Sequence, residues 1–578
     1  MNKQSIHRSY PYRRSLIVSI FIIASGVLIW RAYYLQISNN EFLRNHGDAR
    51  SLRVVNIPAH RGMITDRNNE PLAISTPVDS VSATPKQVLE QPDLIPALAS
   101  ILEMEPNSLF ELLVERKDRE FVYLKRHVSP DVAKQVENLE IVGINLQQEF
   151  KRYYPAGEVT AHIVGFNNVD DTGQEGIELA YEQWLMGVPG KKRVLKDRLR
   201  RIIRDVESIK SPSPGKNLTL SIDRRVQYLA YRELATAVQY YKAKSGSLVL
   251  LDPNTGEVLA LAVQPTYNPN NRAGLISSNF RNRAITDVFE PGSTLKPFTI
   301  AAGLMSGLFQ VDTIVQTSPG YLKVSNHVIS DVSNYGALDL PGIIQKSSNV
   351  GASKIGLAIG PKSLWSMYRD VGFGEQTGSG FPGESPGMLS NYSNLSELDL
   401  ASISFGHGIA VTALQLARAY GVIASHGMLH PVTFIKVDEN ENVGVQVLSP
   451  DITNKLMMML EKVVQPGGTG QKASVPFYRV IGKTGTAHKS TSTGYAEDRY
   501  LSLFAGIAPA SNPRLVMAVI IDEPQGGEHY GGQVAAPIFS KVIQGALRIL
   551  NIPPDRISDL NSEVSMAENK PGFADQVR

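Results

Sequence analysis

A serine and a lysine three residues apart near the middle of the chain could form an acyl-transfer site. Ser293 and Lys296 stand in the stretch Glu-Pro-Gly-Ser-Thr-Leu-Lys-Pro-Phe, residues 290–298. The Pro-Gly pair predicts a turn that opens a helix, and residues three apart on a helix share a face. A serine becomes a good nucleophile when a neighbouring base takes its proton, and a neutral lysine can be that base. Alone, this spacing recurs by chance and is more simply explained by a helix cap beside a surface lysine.

Two further short motifs follow this pair and could supply the remaining groups of such a site. The first is Ser347-Ser-Asn349, after a run of helical character, and the second is Lys483-Thr-Gly-Thr486, where a strand pattern begins. Each alone is typical of an ordinary turn or strand end. The ordered set is much stronger evidence, because these three motifs together mark penicillin-binding proteins and class A β-lactamases.

On these motifs the chain resembles the penicillin-recognising serine transpeptidases, and the sequences around the motifs agree. The agreement extends to residues 283–292, 350–354 and 530–537. Upstream, three stretches resemble the pedestal signatures of class B penicillin-binding proteins, namely 61–67, 152–155 and 176–187. The resemblance covers roughly residues 15–555, and within class B the chain is most similar to the division-specific septal members (FtsI type).

The resemblance implies acyl transfer from the D-Ala-D-Ala end of a peptide, with a role for each motif residue. Ser293 is the expected nucleophile, and Lys296 is the base that accepts its proton. Lys483, a second cation, is expected to disfavour the protonated form of Lys296. Ser347 is expected to relay the proton to the leaving D-alanine nitrogen, and Asn349 to hold Lys296 and the substrate amide in place.

The third motif is expected to bind the substrate. Thr484, together with Thr486, is the expected ligand of the terminal carboxylate. The backbone N–H groups of Ser293 and Thr486 are expected to form the oxyanion hole, by analogy with the family. Gly485 fits this site because a side chain there would block a peptide that lies along the strand edge.

An uncharged, mostly aliphatic stretch near the N-terminus predicts one membrane anchor. Residues 1–14 are polar and basic, and the predicted span covers residues 15–35. A cleaved signal peptide needs a small-residue cleavage site, and none follows Trp30. A buried core helix would leave the basic cluster unexplained. We therefore expect an uncleaved signal anchor in the cell inner membrane, with a cytoplasmic N-terminus and the bulk of the chain in the periplasm.

The rest of the chain divides at a Pro/Ser-rich linker, residues 211–216, into two predicted domains. Residues 39–214 mix short strands and helices, and form the expected elongated pedestal (dimerisation-like) domain. Residues 215–555 form the expected transpeptidase domain, and residues 556–578 an expected disordered tail. The resemblance implies an α+β fold, in which an antiparallel sheet flanked by helices, with a helical subdomain, carries the site.

The pedestal signatures carry charged residues beside tight turns, which we interpret as structural rather than catalytic. In residues 61–67, an arginine paired with an aspartate across the turn is typical of a contact that stabilises the fold. One departure from the family pattern is Asn69, where the motif usually has glycine. Asparagine tolerates the left-handed conformation, so we expect the turn to be kept.

The bulk composition excludes several function classes. The chain of 578 residues carries a net charge of +3, which is too small to imply nucleic acid as a partner. It has no cysteine, so disulfides, thiol catalysis and cysteine-bound metals are excluded. His426 and His430 are four apart, but Gly427 and Pro431 favour a loop over a helical metal site. We expect no metal and no other cofactor.

Several functions on this fold stay open. The first is a peptidoglycan D,D-transpeptidase that cross-links stem peptides at the division septum and is covalently inhibited by β-lactams. The alternatives are an elongation-specific class B transpeptidase, a β-lactamase or penicillin sensor, and a mainly scaffolding division protein. No glycosyltransferase signature precedes the linker, so glycan polymerisation is expected from an integral-membrane partner of FtsW type. Other expected partners are stem peptides on lipid-linked or nascent strands, β-lactam antibiotics and further divisome proteins.

Overall fold

The structure, a computed structural model, describes residues 11–41, 52–196, 202–272, 276–437, 444–491 and 494–556. Its contacts group the chain into two units. The first unit comprises Met1–His60, Pro77–Lys151 and Gly187–Gly215, and the second comprises Arg61–Thr76, Arg152–Met186 and Lys216–Arg578. The predicted pedestal, residues 39–214, therefore contributes segments to both units. The first ten residues and the predicted disordered tail after residue 556 lie outside the described residues.

Helices and strands alternate irregularly along the described chain, as in an α+β protein. The helices are α1 Pro11–Tyr33, α2 Pro85–Val88, α3 Ile95–Ile101, α4 Pro106–Glu115, α5 Pro130–Asn138, α6 Ala161–Val164, α7 Gly176–Ala180, α8 Glu182–Leu185, α9 Arg224–Tyr240, α10 Arg283–Thr286, α11 Lys296–Met305, α12 Leu340–Lys346, α13 Asn349–Asp370, α14 Glu397–Ile403, α15 Ala413–Ala424, α16 Pro450–Val464 and α17 Gly531–Ile549. The strands are β1 Leu52–Ile57, β2 Ile64–Thr65, β3 Pro71–Ala83, β4 Val122–Val128, β5 Ile144–Tyr153, β6 Gly190–Lys196, β7 Ile202–Lys210, β8 Leu218–Thr219, β9 Ser245–Leu251, β10 Val258–Gln264, β11 Val315–Gln316, β12 Tyr321–Val324, β13 His327–Ser330, β14 Ala337–Leu338, β15 Met428–Leu429, β16 Val445–Gln446, β17 Ile481–Thr491, β18 Gly494–Ala508 and β19 Leu515–Asp522.

The N-terminal helix is long and apolar enough to cross a membrane. Helix α1 continues into a π-helical turn, Tyr34–Ser38, and the combined stretch has 28 residues. Its most apolar 18-residue window has a mean hydropathy of 2.0, and none of that window is buried within the protein. A helix of about 20 apolar residues spans a bilayer, so the predicted span fits inside this stretch.

The first unit contains a three-stranded antiparallel sheet and a small helical core. The sheet has the strand order β1-β6-β7, with Arg193 of β6 opposite both Val54 of β1 and Glu207 of β7. Helices α2 to α5 enclose a separate apolar core with β3 and β4, which includes Val81, Leu98, Leu109, Leu113 and Val136.

The second unit is built on a five-stranded antiparallel sheet with the order β10-β9-β19-β18-β17. Both faces of the sheet are buried at β9, β10 and β19, whose residues are mostly apolar, and successive residues of one strand enter different cores. In β9, Leu248 and Leu250 pack with α9 and α17, whereas Val249 and Leu251 pack with α11, α13 and α15. The predicted antiparallel sheet between helical layers is confirmed. Strand β17 is at the edge of the sheet and lies against the turn that bears Ser293.

Candidate active site

The first motif forms a tight turn that leads directly into helix α11. Ser293 lies in a 3₁₀ turn, Gly292–Leu295, and Lys296 is the first residue of α11. Gly292 has a φ of +52° and donates a hydrogen bond to the carbonyl of Gly406, so the turn needs a residue that tolerates the left-handed region. The Nζ atom of Lys296 lies 2.9 Å from the Oγ atom of Ser293. The spacing of the motif therefore brings the amine and the hydroxyl together.

The amine of Lys296 is buried among oxygen atoms that carry no charge. Its side chain has no solvent exposure. Its Nζ atom lies 2.5 Å from the carbonyl oxygen of Ser347 and 2.7 Å from Oδ1 of Asn349. Burial lowers the pKa of Lys296 well below its ordinary value, the nearby Lys483 lowers it further, and Asp331 opposes the shift. Lys296 is therefore suited to be a neutral base.

The hydroxyl of Ser347 lies between the two lysines. Its Oγ atom is 3.3 Å from Nζ of Lys296 and accepts a hydrogen bond of 2.8 Å from Nζ of Lys483. Ser347 and Ser348 link α12 to α13, and Ser347 has a φ of +60° in the left-handed region. This conformation is uncommon for serine, and such outliers occur often at functional sites. A continuous chain of polar atoms thus runs from Ser293 through Lys296 and Ser347 to Lys483.

Lys483 is buried as completely as Lys296 and is also shifted towards the neutral form. Its Nζ atom donates a second hydrogen bond, of 3.1 Å, to the carbonyl of Thr484. Burial lowers the pKa of Lys483 from 10.5 to about 7. The expectation that Lys483 disfavours the protonated form of Lys296 agrees with the geometry, but burial is the larger cause of the shift.

Asp331 positions the second motif, and the sequence analysis missed it. It follows β13, and its carboxylate accepts hydrogen bonds from Ser348 Oγ (2.6 Å) and from the backbone N–H groups of Asn349 and Val350. These are unpaired donors at the start of α13, where a negative charge is also favoured. Asn349 Nδ2 donates to the carbonyl of Ser330, which leaves Oδ1 for Lys296. No motif marks an aspartate 16 residues before Ser347, so the sequence carried no signal for it.

The threonines of the third motif point away from the lysines. Lys483 faces Ser347, and strand residues two apart share a face, so Thr484 and Thr486 lie on the opposite face of β17. Thr484 Oγ1 is 2.8 Å from Oγ1 of Thr469, and Thr486 Oγ1 accepts a hydrogen bond of 3.0 Å from the N–H of Gly531. The role of these hydroxyls as ligands of a carboxylate stays a prediction.

Gly485 is needed for close packing inside the protein. A Cβ atom at this position would lie 3.0 Å from both the carbonyl oxygen of Pro291 and Cγ2 of Thr294, and 3.3 Å from Cβ of Leu503. These neighbours belong to the turn of Ser293 and to strand β18. The absence of a side chain therefore lets β17 approach the nucleophile turn. That the same gap admits a peptide stays a prediction.

The arginines of the pedestal signatures form a second buried polar cluster in the same unit. Arg61 Nε is 2.7 Å from Glu178 Oε2, and Arg152 Nε is 2.6 Å from Glu178 Oε1. Arg61 also pairs with Glu182 at 2.6 Å. The side chains of Arg61, Arg152 and Glu178 are at most 1% exposed. We call these four residues the arginine–glutamate cluster.

The expected pairing of an arginine with an aspartate across the turn of residues 61–67 is wrong. Asp66 instead accepts hydrogen bonds from the backbone N–H groups of Asn68, Glu70 and Arg224. It thereby closes its own turn and holds the start of α9. Asn69 has a φ of +66°, as expected for a position where the family pattern has glycine.

The residue types at the site indicate acyl transfer. Within the described part of the chain, no group of three or more His, Cys, Asp or Glu side chains could hold a metal ion. A serine beside a buried lysine whose pKa is lowered, with a second lysine behind a shared hydroxyl, is the arrangement of an activated nucleophile. Fold and site together define a serine acyltransferase with an antiparallel sheet at one wall of the site.

Comparisons with known proteins identify the family. The family model described as the penicillin-binding protein transpeptidase domain matches residues 246–544, and the penicillin-binding protein dimerisation domain matches residues 56–220. The chain is 43% identical to the peptidoglycan D,D-transpeptidase FtsI of Escherichia coli K12, over 96% of this chain and 95% of that protein. It is 42% identical to the probable peptidoglycan D,D-transpeptidase PbpC of Pseudomonas aeruginosa, over 95% and 97%.

A solved structure is similar over most of the chain. Penicillin-binding protein 3 of Mycobacterium tuberculosis, in complex with aztreonam, has a TM-score of 0.67 and 27% identity, and the match covers 86% of this chain and 98% of that one. The chain belongs to the class B penicillin-binding proteins, in which a dimerisation domain precedes the transpeptidase domain. The resemblance on the three motifs is thereby confirmed.

Proposed function

We propose that this protein is a membrane-anchored peptidoglycan D,D-transpeptidase that cross-links stem peptides at the division septum. The observation that carries the proposal is the contact of 2.9 Å between Ser293 Oγ and the buried Nζ of Lys296, whose pKa is lowered by its burial. The names of the similar proteins from Escherichia coli and Pseudomonas aeruginosa support the reaction, and the first of them supports the septal role.

In the first half-reaction, Ser293 Oγ attacks the carbonyl carbon of the D-Ala-D-Ala bond. Lys296 accepts the hydroxyl proton, which requires its neutral form. Ser347, within reach of Lys296, passes a proton to the nitrogen of the terminal D-alanine, which leaves. The backbone N–H groups of Ser293 and Thr486 hold the oxyanion. The product is an ester between Ser293 and the shortened peptide.

In the second half-reaction, the amine of another stem peptide attacks the ester. The same polar chain takes a proton from that amine and returns one to Ser293, so that a new peptide bond forms and the serine is restored. In its protonated form, Lys483 provides positive potential for the substrate carboxylate, and the hydroxyls of Thr484 and Thr486 donate hydrogen bonds to that carboxylate. A β-lactam acylates the same serine, and its slow release accounts for inhibition.

The anchor and the partners complete the proposal. The apolar helix, Pro11–Ser38, holds the protein in the inner membrane with the N-terminus in the cytoplasm and the site in the periplasm. The basic residues that precede the span support this orientation. An integral-membrane glycosyltransferase of FtsW type supplies glycan strands, together with other divisome proteins and lipid-linked or nascent stem peptides.

Labelling with a fluorescent penicillin tests the chemistry. We expect the parent protein to form a covalent adduct that survives denaturation, and Ser293→Ala to form none while it unfolds at the parent's temperature. An adduct on the Ser293→Ala protein would contradict the assignment. Rapid turnover of the penicillin by the parent protein would favour a β-lactamase instead.

Depletion of the protein from cells tests the septal role. Filaments with unclosed septa are the expected result. Rounded cells would instead support the elongation-specific alternative, and normal growth with a Ser293→Ala copy would support a mainly scaffolding role.

A further inference from the structure

The three-stranded sheet β1-β6-β7 presents one face that is unusually rich in unpaired cations. Residues directly opposite each other in an antiparallel sheet point to the same face. The register therefore puts nine side chains on one face, which we call the basic face: Leu52, Val54, Asn56, Lys191, Arg193, Leu195, Arg204, Glu207 and Lys210. Five of them are charged, with four cations and one acid.

Charge on the basic face is concentrated relative to the rest of the chain. Its net charge is 4 − 1 = +3, which equals the net charge of all 578 residues. Arg193 pairs with Glu207 at 2.8 Å, but Lys191, Arg204 and Lys210 form no ion pair with any other described residue. All three are exposed. The face is therefore a positive surface rather than a network of matched charges.

One pair of cations on this face is arranged unfavourably for an isolated protein. Lys191 of β6 and Lys210 of β7 stand directly opposite each other in the register. Like charges in opposite positions destabilise a sheet. An anionic surface against this face would relieve the repulsion, whereas water alone only screens it.

Apolar side chains stand beside these cations and are also exposed. Val54 on the basic face is 54% exposed. The register of β6 and β7 shifts at three points, and at each of them one residue of β7 has no partner opposite it on β6. These three residues, Ile203, Val206 and Ile209, are 62%, 44% and 44% exposed. A surface that combines cations with apolar groups binds the headgroup region of an anionic bilayer through both contributions.

The sheet is tethered close to a membrane. Strand β1 begins at Leu52, 14 residues after the span-capable stretch ends at Ser38. Even a fully extended chain of this length reaches only about 48 Å. The local concentration of lipid headgroups around the sheet is therefore high at all times, which favours lipid over a freely diffusing acidic protein as the occupant.

From the register, the charge and the short tether, we infer that the basic face docks on the surface of an anionic lipid bilayer, next to the anchor. The inference does not depend on the transpeptidase reaction. Docking adds a second attachment to the single helix, and it limits the orientations of the first unit relative to the membrane plane.

The absence of cysteine from the chain allows a direct test with single labels. Asn56→Cys places an environment-sensitive dye on the basic face, and Ser208→Cys places the same dye on the opposite face, as a matched control. The full-length protein is reconstituted in nanodiscs of phosphatidylcholine, with or without 30% phosphatidylglycerol. We expect a blue shift and quenching by a headgroup-bound quencher for the label at position 56 only, in anionic nanodiscs only, and reversal in 0.5 M salt.

A charge variant measures the contribution of the opposed pair. With Lys191→Gln and Lys210→Gln together, we expect the ratio of docked to undocked protein to fall about 25-fold, or about fivefold for each cation. Penicillin acylation should stay at the parent's rate, which shows that the fold is intact.

Three results would overturn the inference. The first is an equal response of the labels at positions 56 and 208, and the second is a response that is independent of phosphatidylglycerol or salt. The third is no lipid response, combined with failure of a Lys191→Glu/Lys210→Glu protein to support division despite normal penicillin labelling. That combination would assign the face to an acidic protein partner.

Discussion

Two sets of buried cations in the second unit have opposite surroundings. In the arginine–glutamate cluster, Arg61 and Arg152 each lie within 2.7 Å of a Glu178 oxygen. Burial alone would lower the pKa of Arg61, but the carboxylates of Glu178 and Glu182 outweigh it and raise the pKa. Lys296 and Lys483 instead contact hydroxyl, amide and carbonyl oxygens, and their pKa values fall.

The difference separates a structural from a chemical use of buried charge. A buried cation with a carboxylate partner stays charged and holds segments together. A buried lysine without one is destabilised in its charged form, so it becomes a base at neutral pH. Burial is common to both sets of cations. The presence or absence of a carboxylate partner, such as that of Glu178, therefore determines which cluster can accept a proton.

The largest expected effect is on the rate of acylation, for which the buried lysine Lys296 is the base. Lys296→Met removes the base, and we expect acylation by a fluorescent penicillin to slow by about 10⁴-fold. The free energy of unfolding at pH 7 should equal or exceed the parent's, because the variant no longer buries a group that is charged in the unfolded chain. Stopped-flow labelling and urea unfolding measure the two quantities. Lys462→Met, at an exposed position of α16, is the control. A large loss of stability in Lys296→Met would contradict the proposed difference between the buried lysines and the arginine–glutamate cluster.

A change in the arginine–glutamate cluster is expected to affect the free energy of unfolding. Glu178→Gln leaves Arg152 without a carboxylate partner and Arg61 with one, and we expect a loss of about 3–5 kcal/mol in the free energy of unfolding. The exposed pair of Arg369 and Glu375 provides the control, since Glu375→Gln should cost less than about 1 kcal/mol. Thermal and urea unfolding check both values. Equal effects of the two variants would mean that the buried cluster is no stronger than a surface pair.

Asp331→Asn is expected to have a smaller effect that bears on the lysines. Loss of charged hydrogen bonds to the start of α13 should slow acylation by about 10- to 100-fold. Since the charge of Asp331 raises the pKa of Lys296, its removal should move the acid limb of the acylation rate to lower pH. Asp339→Asn is the matched control, because Asp339 caps α12 without contacting the site. A pH profile that does not move would reduce Asp331 to a purely structural cap.

The last expected effect is the pH dependence of stability caused by Lys483. Its pKa is about 7 in the folded protein and 10.5 as the ordinary value, so the unfolded chain binds more protons between these pH values. The parent's stability should therefore gain a contribution that grows from pH 7 towards pH 10. Lys483→Met should lack this contribution. The urea midpoint of the parent protein should therefore rise towards that of Lys483→Met as the pH rises, and the difference between the two midpoints should narrow. A constant difference from pH 7 to 9.5 would show that Lys483 is not shifted.

Contacts between residues close together in the sequence could be predicted, whereas contacts between distant residues could not. The contact of Ser293 with Lys296 follows from a spacing of three residues. The partner of Arg61, by contrast, is Glu178, 117 positions away, although Asp66 is much nearer in the sequence. Asp331 could not be found because an aspartate that caps a helix from a separate strand leaves no pattern. Burial of the two lysines likewise depends on the whole fold, although their identity was plain from the motifs.

The left-handed backbone at Ser347 has a consequence for the energy of turnover. Ser347 presents its carbonyl to Lys296 and its hydroxyl to both lysines only because the chain reverses there between two helices. The unfavourable conformation, about 1–3 kcal/mol, is imposed once, when the helices pack. The hydroxyl then needs no rearrangement when a peptide arrives, so none of the substrate's binding energy is consumed in orienting it.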